Sequence, residues 1–164
     1  MFFGTKCSEN PRSDRKFGLC DPTGEARAYS DVANLEHWIA TVENPDGKEV
    51  RFTAIDNCLP LFKEDTKDMH SSCDGMLTTG NRLFLVELKA RKRGDWRSTG
   101  IEQLENTIGL LKKHDPNELA KYAVKKAYVC NKLKPRFASI ENERNSRFFQ
   151  THGFRLDIHA TVTI

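Results

Sequence analysis

The chain has 164 residues, of which 38% are apolar and 30% charged, a balance that suits one folded domain and excludes a disordered or fibrous chain. No run approaches the roughly 18 consecutive apolar residues of a spanning helix, so no membrane role is expected. The net charge of +3 permits nucleic-acid binding without arguing for it.

Residues 1–29 are polar, rich in Gly and Pro and without periodicity, and read as an irregular N-terminal arm or a loosely packed cap ahead of a single domain over 30–164. The opening Met1-Phe2-Phe3-Gly4-Thr5-Lys6 lacks the basic end, apolar run and small-residue cleavage site of a secretory leader, so a cytoplasmic location is the expectation. A helix follows, capped by Ser30 or Asp31, with Val32, Leu35, Ile39 and Val42 as an apolar stripe at helical spacing. Asn44-Pro45-Asp46-Gly47 makes a turn, and Glu49 to Ile55 alternates as a strand. Leu59 to Phe62 reads as a short extended piece and Lys63 to Ser71 as loop.

Ser72 to Thr78 and Arg82 to Ala90 form a hairpin, in which Gly80-Asn81 fits a two-residue type II′ turn. Leu83-Phe84-Leu85-Val86 is apolar on both faces, as in a central strand covered on both sides by helices. Thr99 to Glu102 has capping-box spacing and opens a helix with Ile101, Leu104, Ile108 and Leu111 on one stripe and Lys112, Lys113 and His114 at its C-terminal end. Lys126 to Asn131 reads as a strand, Asn145 to His152 as a short helix stopped by Gly153, and Arg155 to Ile164 as a closing strand. The sum is an α/β fold with a mixed central sheet flanked by helices.

The chemistry-bearing residues lie on the hairpin. With Gly80-Asn81 as the loop, Asp74 falls directly opposite Glu87, and Lys89, two residues on, shares their face. Like charges directly opposite on a sheet repel, and a divalent cation removes the conflict, Mg²⁺ taking one or two carboxylates and leaving its other positions to water and phosphate. Beyond them Arg91, Lys92, Arg93 and Arg97 form a basic loop carrying Trp96, which is expected to anchor in the core.

Asp74, followed after twelve residues by Glu87-Leu88-Lys89, resembles the PD-(D/E)XK phosphodiesterase superfamily, which includes many restriction and repair nucleases. The resemblance covers about Asp31 to Asn131 and implies a restriction-endonuclease-like αβββαβ core and metal-dependent hydrolysis of nucleic acid, DNA favoured over RNA. It implies Mg²⁺ as cofactor, with Mn²⁺ able to substitute, held by Asp74, Glu87, the Leu88 backbone carbonyl and an acid of the first helix, Glu36 or else Glu43. Lys89 would orient and help deprotonate the attacking water, and Gln103 stands where some branches carry a glutamine. Arg91, Lys92, Arg93 and Arg97 would neutralise flanking phosphates. The family's proline before the first aspartate is replaced by Cys73, and its tyrosine four residues after the glutamine by Thr107. Family analogy also suggests a bacterial restriction or phage-defence system, as a homodimer or a subunit of a larger complex.

The rival reading is a nuclease-fold module without catalysis, binding nucleic acid or serving as an inhibitor or immunity-type protein. Asn145 to Phe154 superficially resembles the end of an acetyltransferase, but the glycine-rich pyrophosphate loop is missing. Cys7, Cys20, Cys58, Cys73 and Cys130 are an odd count with no Cys-x-x-Cys pair and are expected to be reduced; His70 and Cys73 with Cys58 match no common zinc spacing.

Overall fold

The computed structural model describes residues 1–135 and 142–164. Nine strands and three α-helices follow in the order β1 (Lys16–Cys20), β2 (Tyr29–Asp31), β3 (Ala40–Glu43), β4 (Arg51–Ala54), β5 (Gly75–Thr79), β6 (Arg82–Lys89), α1 (Trp96–His114), α2 (Pro116–Leu119), β7 (Val124–Asn131), α3 (Asn142–His152), β8 (Arg155–Ile158) and β9 (Thr161–Thr163) among the described residues. They build an α/β fold with two mixed sheets, one of five strands ordered β4-β5-β6-β7-β8 and one of four ordered β2-β1-β3-β9.

The five-stranded sheet carries the hairpin. Its register runs from Gly75 opposite Val86 to Thr79 opposite Arg82, and Gly80 takes the positive φ of 52° that the two-residue turn requires. After β6 the chain crosses through α1 and returns as β7, parallel to β6 from Arg82 beside Val124 to Lys89 beside Asn131.

Alternation along β6 divides its apolar residues between two cores. Leu83 and Leu85 pack with Ile101, Leu104, Ile108 and Leu111 of α1, so the helical stripe read from sequence is the buried one. Phe84, Val86 and Leu88 pack with Phe17, Leu19, Val42 and Val162 of the other sheet. A strand apolar on both faces is therefore covered by a helix on one side and by a second β-sheet, not helices, on the other. Each fully buried Leu or Phe there stabilises the fold by about 1.5–3 kcal/mol.

Three expectations need correction. The first helix is absent: its segment forms β2, a single 3₁₀ turn at Leu35–His37 and β3. Asp31 does cap, but its Oδ2 accepts from the N–H groups of Ala33 and Asn34 and from Trp38 Nε1, which fixes a turn. Ala40 to Glu43 then alternates buried and half-buried between β1 and β9, so period two and β-branched side chains prevail over the coincidental helical stripe, whose Val32 and Leu35 are exposed.

Residues 1–29 are not an irregular arm. They contain β1, Phe2 is fully buried, and the Phe2 N–H donates to Asp115 Oδ2 at 2.8 Å. Nor are the cysteines all reduced, since Cys7 and Cys58 form a disulfide across 51 positions of sequence, worth about 2–4 kcal/mol by restricting the unfolded chain. Such a bond favours an oxidising compartment, so the cytoplasmic expectation loses the support of reduced thiols.

Two boundaries also move. Asp95 caps α1, its carboxylate accepting from Ser98 N–H at 3.4 Å, so the helix begins before Thr99 and takes Trp96 into the core. The last strand splits, β8 pairing with β7 in one sheet and β9 with β3 in the other.

Candidate active site

β4 and β6 run the same way with β5 antiparallel between them, so the C-terminal ends of β4 and β6 meet the N-terminal end of β5 at one edge of the sheet. One step beyond the Gly75–Val86 pair, Asp74 stands opposite Glu87 as the register predicts. Both are buried, Asp74 to 7% and Glu87 to 2% of full exposure.

The surrounding contacts hold these side chains in place. Asp74 Oδ2 accepts the Leu88 N–H at 2.6 Å. Lys89 Nζ donates to Glu87 Oε1 at 2.8 Å and to Gln103 Oε1 at 2.8 Å. Gln103 lies off the apolar stripe of α1 yet reaches the site, its Nε2 donating to the Ser72 carbonyl at 3.4 Å. A glycine is required where α1 crosses, because a Cβ on Gly100 would stand 2.9 Å from Val129 Cγ1 and 3.4 Å from Glu87 Cγ. Lys132 N–H donates to the Lys89 carbonyl, so the Lys89 peptide faces β7 and alternation turns that of Leu88, carbonyl included, toward Asp74.

Two carboxylate oxygens are left over. Glu87 Oε2 is buried and receives no hydrogen bond, and Asp74 Oδ1 receives none from a described residue. Burial pushes the Glu87 carboxyl up to about 7 against the pull of Lys89, and burial together with the facing Glu87 raises Asp74 well above the usual carboxylate range. An orphaned, buried carboxylate oxygen beside a second carboxylate is a position a hard cation would satisfy.

Two further acids face this edge and were not singled out in the sequence. Asp21, just past β1, and Asp56, just past β4, both raise the pKa of Asp74 and of Glu87. Their own carboxyls are raised, first by burial, with Lys89 opposing. The signal for Asp56 was its place at the end of a readable strand; only the β4–β5 pairing brings it beside Asp74. Glu36 is instead exposed on the 3₁₀ turn, where its carbonyl accepts from Lys132 Nζ, and Glu43 lies on β3 at 4.0 Å from Lys16. The helix meant to carry either of them into the site does not exist.

Arg91, Lys92 and Arg93 are exposed in the loop leaving β6, and Arg97 is half-buried in the first turn of α1. Asn131, buried at the end of β7, fixes that loop, accepting from the Arg91 N–H at 3.2 Å and donating to its carbonyl at 2.7 Å. A cavity of about 150 Å³ opens beside Lys89, lined by Arg91, Arg93, Trp96 and Thr99 among others.

Cys73 and Thr107, where the sequence departs from the PD-(D/E)XK pattern it resembles, are hydrogen-bonded to each other. Cys73 N–H donates to Thr107 Oγ1 at 2.8 Å, and that hydroxyl donates to the Gln103 carbonyl at 2.8 Å. A proline at position 73 would have no N–H to give. Thr107→Val removes the acceptor and strands a buried N–H, so chemical denaturation should show a loss of about 1–3 kcal/mol. A variant as stable as wild type would deny the bond this role. No protein-family model, curated protein or solved structure matches the chain.

Proposed function

We propose that the chain is a Mg²⁺-dependent phosphodiesterase of the PD-(D/E)XK type that hydrolyses nucleic acid, DNA before RNA. The observation that carries the reading is the buried Asp74–Glu87 pair, two carboxylates forced opposite each other with Glu87 Oε2 unpartnered and Lys89 held on the same face. A purely structural sequence gains nothing from that arrangement, because both acids are displaced upward in pKa by being there. The succession β4-β5-β6-α1-α2-β7, with α2 a single turn after α1, supports the βββαβ part of the expected core, with a β-sheet layer in place of its first helix.

Asp74 Oδ1, Glu87 Oε2 and the Leu88 carbonyl would hold the cation, which would supply charge neutralisation and Lewis acidity at the scissile phosphate. Lys89 spends two of its three N–H donors on Glu87 and Gln103 and keeps one for the attacking water or a phosphate oxygen. Gln103, tied to Ser72, fixes the direction of that ammonium. Arg91, Lys92 and Arg93 follow directly in the loop leaving that strand and would take the flanking phosphates.

The test is incubation with plasmid, linear duplex, single-stranded DNA and RNA in Mg²⁺, Mn²⁺ or EDTA, with calorimetric titration of Mn²⁺. Cleavage in either metal, abolished by EDTA, is the expected result. No cleavage together with no Mn²⁺ binding would overturn the reading and leave a nuclease-like binding module.

A further inference from the structure

At the opposite end of the same sheet the chain gathers positive charge without a counter-ion among the described residues. Arg82 opens β6, Arg155 opens β8, and Lys126 lies on β7 between them. In register Lys126 stands beside Phe84 on one side and beside Arg155 on the other. Alternation places Arg82 on that same face, two residues before Phe84. Like charges on neighbouring strands repel. No described carboxylate lies within ion-pair distance of Arg82, Lys126 or Arg155. Asp157 follows on the same face of β8, but its register partner is Tyr128.

These three cations and Phe149 of α3 line a cavity of about 480 Å³. Phe149 is 48% exposed, and the Arg155 guanidinium lies 5.9 Å from its ring centroid. Lys125 lines the same cavity with its ammonium turned to the Tyr122 carbonyl at 2.9 Å. The concavity therefore combines three cations that have no carboxylate partner among the described residues with a half-exposed aromatic ring.

We propose that this cavity is a second nucleic-acid contact, binding the phosphates of a single strand through Arg82, Lys126 and Arg155 and stacking one unpaired base on Phe149. Each part of the ligand answers a part of the site. Consecutive phosphates supply the anions the three cations lack, and a base supplies the flat apolar partner for a ring already flanked by a guanidinium. An acidic peptide would meet the charge and leave the ring uncovered. A duplex would present phosphates but no free base face. Glu87 lies five residues along β6 from Arg82, roughly 17 Å at strand rise, so the contact is separate from the carboxylate site. It does not depend on the catalytic reading, since phosphate binding by cations needs no metal.

The test uses fluorescence anisotropy of a labelled twelve-residue oligothymidylate, in EDTA throughout. The full chain is compared with a triple variant (Arg82→Gln, Lys126→Gln, Arg155→Gln), with Phe149→Ala and with a loop variant (Arg91→Gln, Lys92→Gln, Arg93→Gln). The triple variant should bind on the order of tenfold more weakly, with the slope of log affinity on log salt reduced by about 2, near 0.7 for each lost phosphate contact. Phe149→Ala should weaken the single strand by about tenfold and leave a duplex of the same length unaffected. An unchanged affinity and slope in the triple variant, with loss only in the loop variant, would overturn the proposal. Equal competition by polyglutamate of matched charge would overturn the choice of ligand. Should a variant fold poorly by circular dichroism, photocrosslinking of an iodouridine oligonucleotide to wild type decides independently. Capture at Phe149 supports the contact, and capture confined to the 91–97 loop sinks it.

Discussion

Alanine at Lys89 is expected to lower Mg²⁺-dependent cleavage by about a thousandfold, expressed in kcat with KM little changed. Lys89 is the only described cation bonded to the buried pair, and its Nζ stands 2.8 Å from both Glu87 Oε1 and Gln103 Oε1. A fixed donor aimed at charge that develops during reaction contributes about 3–4 kcal/mol, which sets the scale of the loss. A structural role would produce a different signature. Removing the ammonium also removes the two influences that hold the Glu87 carboxyl down, so its pKa rises further and the residual rate should climb at higher pH than in wild type. Lys89→Arg should not restore the rate, because a guanidinium stays protonated and its planar fork cannot occupy the place of a compact ammonium. A Lys89→Ala variant within threefold of wild type would remove the residue from the proposed chemistry.

What the sequence disclosed was decided by local rules. Thr79 opposite Arg82 follows from one glycine turn, and the whole register that sets Asp74 against Glu87 follows from that. The stripe of α1 and the doubly buried β6 are read from periodicity within a single element. What it concealed was decided by partners far along the chain. Ala40 to Glu43 is a strand because β1 and β9 lie beside it, and its four-residue alternation is too short to stand out in sequence against the helical stripe that runs through it. Val32, Leu35, Ile39 and Val42 recur at helical spacing by coincidence, and the first two are exposed. The same limit hid the roles of Asp21 and Asp56, which come from two different sheets. Cys7 and Cys58 illustrate it most simply, since a disulfide across 51 positions leaves no spacing signal.

Glutamine at Glu87 should abolish cleavage and at the same time make the protein more stable above pH 7. The folded chain holds the Glu87 proton until about pH 7, whereas the unfolded chain releases it near the ordinary value of 4.5. Between those values the native state binds more protons than the unfolded one, so stability falls as pH rises through that window and levels off above it. The full loss is about 3 kcal/mol, and Asp74 contributes in the same direction. Glutamine has the shape of the protonated acid and no charge to desolvate. Thermal unfolding of Glu87→Gln should therefore match wild type near pH 4 and exceed it at pH 8 by about 6–12 °C. Mg²⁺ adds the discriminating arm. A cation held by Glu87 Oε2 and Asp74 Oδ1 would stabilise wild type at pH 8 by mass action, and the variant much less. If the variant were the less stable protein at pH 8, the Glu87–Lys89 ion pair would outweigh the cost of burying the carboxylate. If Mg²⁺ raised both melting temperatures equally, the cation would bind elsewhere. Burying two facing carboxylates is thus a stability cost once the pH rises past their raised pKa values, and the proposed cation site would account for its being kept.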